Sequence, residues 1–391
     1  MKILVVGGGT GGHVTPAVAV VEEILKLKPR TDVQFWSDRK YYKNVLKIRD
    51  LNGVKMRTRT IPAGKLRRYT HIRGLAYLKP ENWDILAKNF VDFFRVSVAV
   101  IVSMWRMIWW RPDAVFLKGG YVSLPVGIAA GILRVPYVIH DSDATLGLTS
   151  RMLEKRAAVV ALGMPSAKTE LGGKYVWTGI PVAENFVRMT ATERTKVLRE
   201  FELDPEKPMV LVTGGSSGSR HINDALEAVL GDMLKFASVV LIAGRKNYED
   251  AVVNLKKFEV WDDGEMQSDF RLFEFRTDMD KLIGAATVVI SRAGATTIAE
   301  MAAMGKACVL VPYGVLPGGH QSKNADALVA AGAAEKIEDE DMVRAPEELL
   351  KLVRGLVKNP AKREGLEKNL YSLAKHDAAE DLARAIIKVA E

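Results

Sequence analysis

Cysteine is all but missing from this chain. Cys308 is the only one in 391 residues, so no internal disulfide can form. Its place in the apolar run Ala307–Val311 reads as a buried thiol in a protein kept in a reducing compartment. No apolar leader follows Met1-Lys2, and no signal peptide is expected. No long hydrophobic run is free of charge. The longest, Phe90 to Trp110, is broken by Asp92, Arg95 and Arg106, which makes it a poor transmembrane helix. Short-period repeats and low-complexity segments are lacking. No nucleic-acid recognition module is visible, so nucleic acid is not an expected partner.

What is present describes a globular protein of two domains. Hydrophobic residues make up 48% and charged residues 26%, an ordinary balance, and the length exceeds what one core usually serves. The net charge of +9 points to an anionic partner. The cations crowd one stretch: Lys55, Arg57, Arg59, Lys65, Arg67, Arg68, His71, Arg73 and Lys79. The aromatic run that follows ends in Trp105, Trp109 and Trp110. Part of that run must pack as a buried helix. Beside the cations, it also resembles an interfacial surface suited to anionic lipid.

Apolar runs alternate with helical patterns along the chain. In the first half they are Lys2–Val6, Val33–Trp36, Val54–Thr60, Ala114–Leu117, Tyr137–Ile139, Val159–Leu162 and Tyr175–Trp177. In the second they are Met209–Thr213, Val239–Ala243, Arg271–Phe275, Thr287–Ile290 and Ala307–Val311. This alternation predicts an α/β protein of two Rossmann-like, doubly wound domains facing a cleft, with ligands at the carboxyl ends of the strands. The expected domains are 1–180, 181–365 and a C-terminal helix, 366–391, returning to the first domain.

Four glycine loops follow strands. The first is Gly7-Gly8-Gly9-Thr10-Gly11-Gly12-His13, with Pro16 in the opening turn of the helix after it. Its backbone can approach a ligand closely, and the helix N-terminus favours an anion. His13 at that spot is a candidate base, or a mere helix cap. Gly7, Gly9 and Gly12 also match the dinucleotide fingerprint, with Asp38 as its ribose acid. The second half repeats the device in Gly214-Gly215-Ser216-Ser217-Gly218-Ser219-Arg220. The third loop, Ser291–Thr297, leads to Glu300, a carboxylate able to accept from both ribose hydroxyls. The fourth, Gly318–Ala325, offers Gln321 and Asn324 to a sugar. A dehydrogenase has no use for so many loops; a sugar nucleotide does.

Taken together the loops resemble the MurG family of N-acetylglucosaminyltransferases. The matching segments are GGGTGGHVTPAVAV at 7–20, GGYVSLPVGIAA at 119–130, LGLTSRML at 146–153, TGIPV at 178–182, TGGSSGSRHIN at 213–223, SRAGATTIAEMAAMGKACVLVPY at 291–313 and HQSKNADALVAAGAA at 320–334. The resemblance implies the GT-B architecture and inverting transfer of GlcNAc from UDP-GlcNAc to the 4-hydroxyl of an undecaprenyl-diphospho-muramoyl-peptide. The protein would then sit peripherally at the cytoplasmic face of the cell membrane, against an anionic surface. By the same resemblance the second domain holds the donor. Phe275 and the backbone of Arg276 lie at the uracil, Glu300 at the ribose, Gly215 and Ser216 at the diphosphate, and Gln321 and Asn324 at the GlcNAc. The first domain holds the acceptor. His13 is the base, with Thr10, Gly11, Gly12, Gly119, Gly120, Tyr121 and His140 on the acceptor side. No cofactor and no metal are expected, because loop N–H groups and helix dipoles can stabilise the departing diphosphate.

Two segments depart from the family pattern. His-Glu-x-Asn reads His140-Asp141-Ser142-Asp143, which puts the acceptor in question. Asn-Pro-Val-Arg reads Ile180-Pro181-Val182-Ala183, which removes an arginine near the donor diphosphate. Asp141-Ser142-Asp143 also spells the D-x-D of metal-dependent glycosyltransferases and reads here as loop polarity; a divalent ion bound there would be Mg or Mn. Three alternatives stand beside the main reading. One is an inverting transferase with another lipid acceptor. Another is a UDP-GlcNAc 2-epimerase, which would want several cleft carboxylates that the sequence does not display. The last is a nicotinamide oxidoreductase.

Overall fold

The apolar runs pair as parallel strands. β1 (Lys2–Val6), β2 (Asp32–Ser37), β3 (Arg57–Thr60), β4 (Ala114–Leu117), β5 (Tyr137–Asp141), β6 (Val159–Leu162) and β7 (Tyr175–Trp177) form one sheet in the order β3-β2-β1-β4-β5-β6-β7. β8 (Met209–Thr213), β9 (Ser238–Ile242), the short hairpin β10 (Trp261–Asp262) and β11 (Glu265–Met266), then β12 (Phe270–Phe273), β13 (Val288–Ser291), β14 (Cys308–Leu310) and β15 (Glu335–Lys336) follow. Apart from the hairpin, they form a second sheet in the order β12-β9-β8-β13-β14-β15. These are the features of a computed structural model. It describes all residues except 10, 52, 65–82, 144, 165–171, 216–217, 257–260, 263–264, 267–268 and 315–318. Thr10, Ser216 and the basic residues Lys65, Arg67, Arg68, His71, Arg73 and Lys79 therefore lie outside the described residues.

Contacts divide the chain into two units, Met1–Ala183 with Lys375–Glu391, and Glu184–Ala374. In the first, β1 shows why the strands read as unbroken apolar runs. Leu4 and Val6 face one core with Met107, Val122 and Ile139. Ile3 and Val5 face the other with Val18, Val21 and Phe116. Both faces are covered, so neither alternates to polar. The second core also takes Leu382, Ala383 and Ile386 from the C-terminal helix Ala378–Ala390, which packs on α1 (Gly11–Leu27). Residues 366–374 remain with the second unit. α1 begins at Gly11 rather than at Pro16, so Pro16 lies inside the helix.

α2 (Tyr42–Leu51) and α3 (Trp83–Trp110) precede β4. α3 buries a narrow stripe, Val96, Ala99, Ser103 and Met107, at helical spacing. Its opposite face exposes Phe90, Phe94, Ile101, Trp105 and Trp109, with Trp109 75% exposed. Trp110 turns inward and donates from Nε1 to Asp32 at 3.1 Å. α4 (Gly120–Leu133) and α5 (Leu148–Leu153) complete the helices that frame the first sheet's working edge.

Each sheet reverses its winding direction beside its first strand. β1 pairs with β2 and β4, and β8 pairs with β9 and β13. Such reversal points open a crevice at the carboxyl ends of the two strands. The first and third glycine motifs of the sequence, and their partners after β4 and β8, stand at these two points.

Candidate functional site

In the first unit the Gly7–His13 loop leaves β1 next to the loop Lys118–Tyr121 that leaves β4. The two strand ends are in register, Val6 opposite Leu117. The approach is close enough to require glycine. A Cβ at Gly8 would stand 2.5 Å from Asp38 Oδ1, and one at Gly9, where φ is +82°, would stand 2.7 Å from the Tyr121 ring. At Gly120, φ is +73° and a Cβ would meet the His13 ring at 3.1 Å.

Asp38 holds this corner together. Its Oδ1 accepts from the Gly9 N–H at 3.0 Å and its Oδ2 from the Tyr121 hydroxyl at 3.0 Å. The residue is buried. Both oxygens are occupied, so Asp38 braces the loop and offers nothing to a ribose. Buried beside this carboxylate, the Tyr121 hydroxyl is held well above the usual phenol range, by burial first and Asp38 second.

His13 is half-buried, and its Nδ1 lies 3.0 Å from the Gly8 carbonyl. A carbonyl only accepts, so Nδ1 carries the proton and Nε2 of the neutral ring is the basic atom. Burial first and the Lys118 ammonium second push the imidazole down to about 4, against the opposing pull of Asp141 and the Gly8 carbonyl. The ring is neutral at pH 7 and able to accept a proton.

His140 is set back from this surface. It is fully buried, and its Nε2 donates to the Gly179 carbonyl at 2.8 Å. Through this bond it ties β5 to the end of the first unit's continuous chain, while its Nδ1 is buried without a hydrogen-bond partner. Asp141 likewise turns inward. Its Oδ2 accepts from Gly147 N–H at 2.8 Å and its Oδ1 faces Asp143 N–H at 3.5 Å, so it closes the loop after β5.

In the second unit the loops after β8 and β13 stand side by side, with Thr213 opposite Ser291. Gly215 has φ +73° with open space where a Cβ would be, and its N–H donates to Thr213 Oγ1 at 3.2 Å. Ser219 caps the helix Arg220–Leu234, accepting from Ile222 N–H. Beneath these loops lies a buried network that the sequence reading missed. Arg292 donates to Ser219 Oγ at 2.6 Å, to the Val311 carbonyl at 3.2 Å and to Asp339. Asp339 in turn meets His221 Nδ1 at 2.6 Å. One guanidinium thereby fixes the loops after β8, β13 and β14. Nothing in local spacing signals this, because Asp339 is 47 residues away.

Glu300 lies on the helix Ala295–Met304. Burial raises its carboxyl to about 8. Phe275 is 42% exposed beyond β12, with the Arg245 guanidinium 4.7 Å from its ring centroid. The Arg276 side chain is taken by a two-pronged ion pair to Asp278 and stacks on Phe201 and Phe273, which leaves its backbone for a ligand. Gln321 accepts from Tyr313 N–H at 2.9 Å through Oε1, so its NH₂ is the group that can donate elsewhere. Asn324 is fully buried and donates to the Ala293 carbonyl at 3.3 Å. Through this bond it joins the third and fourth loops. Among the described residues no group of three or more His, Cys, Asp or Glu could hold a metal ion.

The profile of the glycosyltransferase family 28 N-terminal domain matches residues 3–162, and that of the family 28 C-terminal domain residues 209–382. Curated proteins match over their whole length. One from Oenococcus oeni is 31% identical, covering 100% of this chain and 97% of its own. One from Thermoanaerobacter is 30% identical, covering 99% of each. Both are named UDP-N-acetylglucosamine--N-acetylmuramyl-(pentapeptide) pyrophosphoryl-undecaprenol N-acetylglucosamine transferase. Among solved structures, MurG of Acinetobacter baumannii superimposes with a TM-score of 0.70 at 25% identity over 99% of each chain. A UDP-GlcNAc 2-epimerase of Neisseria meningitidis reaches 0.64 at 13% identity, a likeness of fold alone.

Proposed function

This chain belongs to glycosyltransferase family 28, within its MurG branch, and from that premise we propose how its residues carry out the family's reaction. It is an N-acetylglucosaminyltransferase that moves GlcNAc from UDP-GlcNAc to the lipid-linked muramoyl-peptide of peptidoglycan synthesis. The observation that carries the residue-level reading is that each unit holds a loop site of its own chemistry. One places a neutral imidazole at a helix start. The other sets two strand-end loops side by side, with the helix after one of them carrying Glu300, whose carboxyl burial raises to about 8.

In the donor site, the backbone of Gly215 and Ser216 would meet the diphosphate at the start of the helix Arg220–Leu234, where free N–H groups and the dipole favour anions. Glu300 accepts from the ribose hydroxyls. Phe275 supplies an exposed ring for uracil, and Arg245 stacks on it. The Gln321 NH₂ donates to the sugar. In the acceptor site, Gly11, Gly12, Gly119 and Gly120 present backbone to the lipid diphosphate, with Tyr121 bracing them. His13 Nε2 takes the proton from the muramoyl 4-hydroxyl as that oxygen attacks the anomeric carbon. The bond from that carbon to the UDP oxygen breaks on the opposite face, and UDP leaves with the electron pair. One displacement inverts the configuration.

The exposed face of α3 supports peripheral attachment to the cytoplasmic face of an anionic membrane. Phe90, Phe94, Ile101, Trp105 and Trp109 form a continuous apolar stripe on a chain of net charge +9. Among the described residues no helix is long and apolar enough to cross a membrane.

Thermal unfolding tests the donor half of this reading. UDP-GlcNAc should raise Tm, as binding to the folded state must, and NADH should leave it unchanged. Protection by NADH alone would return the first loop to a dinucleotide role.

A further inference from the structure

The peptide group between Gly8 and Gly9 is engaged at both ends. Its N–H, from Gly9, donates to Asp38 Oδ1 at 3.0 Å. Its carbonyl, from Gly8, accepts from His13 Nδ1 at 3.0 Å. A trans peptide points these two groups in opposite directions. Asp38 and His13 are therefore joined through one rigid planar unit, the carboxylate on one side and the imidazole on the other.

Asp38 is itself firmly held. It is buried and follows Ser37, the last residue of β2. β2 pairs with β1 as far as Trp36 opposite Val6, and the Gly7 N–H extends that ladder to the Trp36 carbonyl at 3.2 Å. The Asp38 carbonyl accepts from the N–H of Tyr42, the first residue of α2, at 3.0 Å. Its Oδ2 accepts from the Tyr121 hydroxyl at 3.0 Å, and Ser37 Oγ lies 3.5 Å from Oδ1. The peptide that Asp38 grips has no such support of its own. Two glycines flank it, and glycine imposes little conformational preference. A hydrogen bond to a carboxylate is about twice as strong as a neutral one, so the carboxylate decides which way the Gly8 carbonyl faces. Gly120 bounds the imidazole on another side, where a Cβ would stand 3.1 Å from both Nδ1 and Cε1.

We propose that Asp38 is a positioning residue for the transfer reaction: acting through the Gly8–Gly9 peptide, it aims a carbonyl at His13, keeps the ring proton on Nδ1 and leaves the lone pair on Nε2 for the acceptor hydroxyl. The proposal rests on the reading of His13 as the base. A neutral imidazole can carry its proton on either nitrogen, and the hydrogen bond made by one decides the state of the other. With the proton on Nε2, that edge of the ring would donate and could not take the hydroxyl proton. A carboxylate at the N–H end also polarises the peptide, which strengthens the bond its carbonyl accepts. The acid that a dinucleotide fingerprint would give to a ribose serves the base instead.

Nitrogen-15 NMR of the protein's six histidines, with His13 identified by its loss in His13→Asn, reads the ring tautomer without any activity assay. In the unsubstituted protein at pH 7 the His13 proton should sit on Nδ1; an Nε2–H ring overturns the proposal before any substitution is made. Asp38→Ala removes both acceptors. It should move part of the His13 population to the Nε2–H form and lower kcat by roughly 10–10²-fold, the scale of a misplaced catalytic group, with KM for UDP-GlcNAc within about twofold. Asp38→Asn keeps an oxygen for the Gly9 N–H and should restore most of the Nδ1–H form and of kcat. Asp38→Ser replaces the alanine variant if that one loses its native amide spectrum. An Nδ1–H ring that persists undiminished in a natively folded Asp38→Ala or Asp38→Ser overturns the proposal and leaves the base assignment untouched. A tautomer that shifts while kcat holds overturns the role in transfer and dismisses His13 as the base.

Discussion

Glu300 has no side-chain hydrogen bond among the described residues, and burial raises its carboxyl to about 8. It is therefore largely protonated at pH 7 in the free protein. Ribose hydroxyls that donate to it favour the charged form, so donor binding should expel a proton. Below pH 8 the binding-competent carboxylate becomes scarcer, and affinity for UDP-GlcNAc should weaken by up to about tenfold per pH unit. Titration calorimetry at pH 7 in buffers of different ionisation enthalpy should report release of nearly one proton. Glu300→Gln should release none and bind more weakly by about 1.5–3 kcal/mol. A dissociation constant flat from pH 6 to 9 in the unsubstituted protein would remove Glu300 from the ribose.

His13 behaves in the opposite sense. Its midpoint is held down to about 4, so the base is deprotonated throughout the neutral range, and turnover should not fall on its account until well below pH 6. His13→Ala should lower turnover by about 10²–10⁴-fold, the range for loss of a general base, with UDP affinity nearly unchanged. Near-normal turnover would contradict the assignment. At this scale the sequence located types and positions but not orientations. His140 and Asn324 each donate to a backbone carbonyl, Gly179 and Ala293, a demand that strand-end loops make on their neighbours and that local sequence does not display. Lys118 was overlooked although a lone cation closing the apolar run Ala114–Leu117 is visible in the sequence.

At the scale of elements, the strands were legible because parallel strands covered on both faces are apolar throughout. β3 begins at Arg57 rather than Val54, and β12 ends at Phe273 rather than Phe275. β15 and the β10–β11 hairpin, each of two-residue strands, are too short to leave a periodic signal. The start of α1 was misplaced because Pro16 reads as a first-turn residue, whereas the helix already begins in the glycines. Those glycines carry a prediction. Gly120→Ala places a Cβ 3.1 Å from the His13 ring at φ +73°, so both strain and crowding fall on the base. Turnover should drop while calorimetric UDP-GlcNAc affinity stays within about twofold, the outcome expected of a change confined to the acceptor unit. The C-terminal helix carries another. Ile386 is fully buried in the α1-side core, and Ile386→Ala should cost about 2–5 kcal/mol of stability by denaturant unfolding.

At the scale of the molecule, α3 joins fold to location. Its apolar stripe exposes Trp105 and Trp109 where a solitary soluble domain would show polar residues. The protein should co-sediment with anionic vesicles at low salt and release as salt rises. Trp105→Ser with Trp109→Ser should weaken that binding yet leave transfer to a soluble acceptor analogue intact. Indifference of the unsubstituted protein to anionic vesicles would confine the stripe to some other role. The direct test of the whole account is transfer itself. Labelled UDP-GlcNAc is incubated with the protein and a short-chain lipid I analogue, in the presence of EDTA. The account predicts a β-linked GlcNAc on the muramoyl 4-hydroxyl, formed without added metal because loop N–H groups meet the departing diphosphate and Asp141 is already engaged by Gly147. Retention of configuration, a strict need for Mg or Mn, or conversion of UDP-GlcNAc to its 2-epimer without transfer would contradict it.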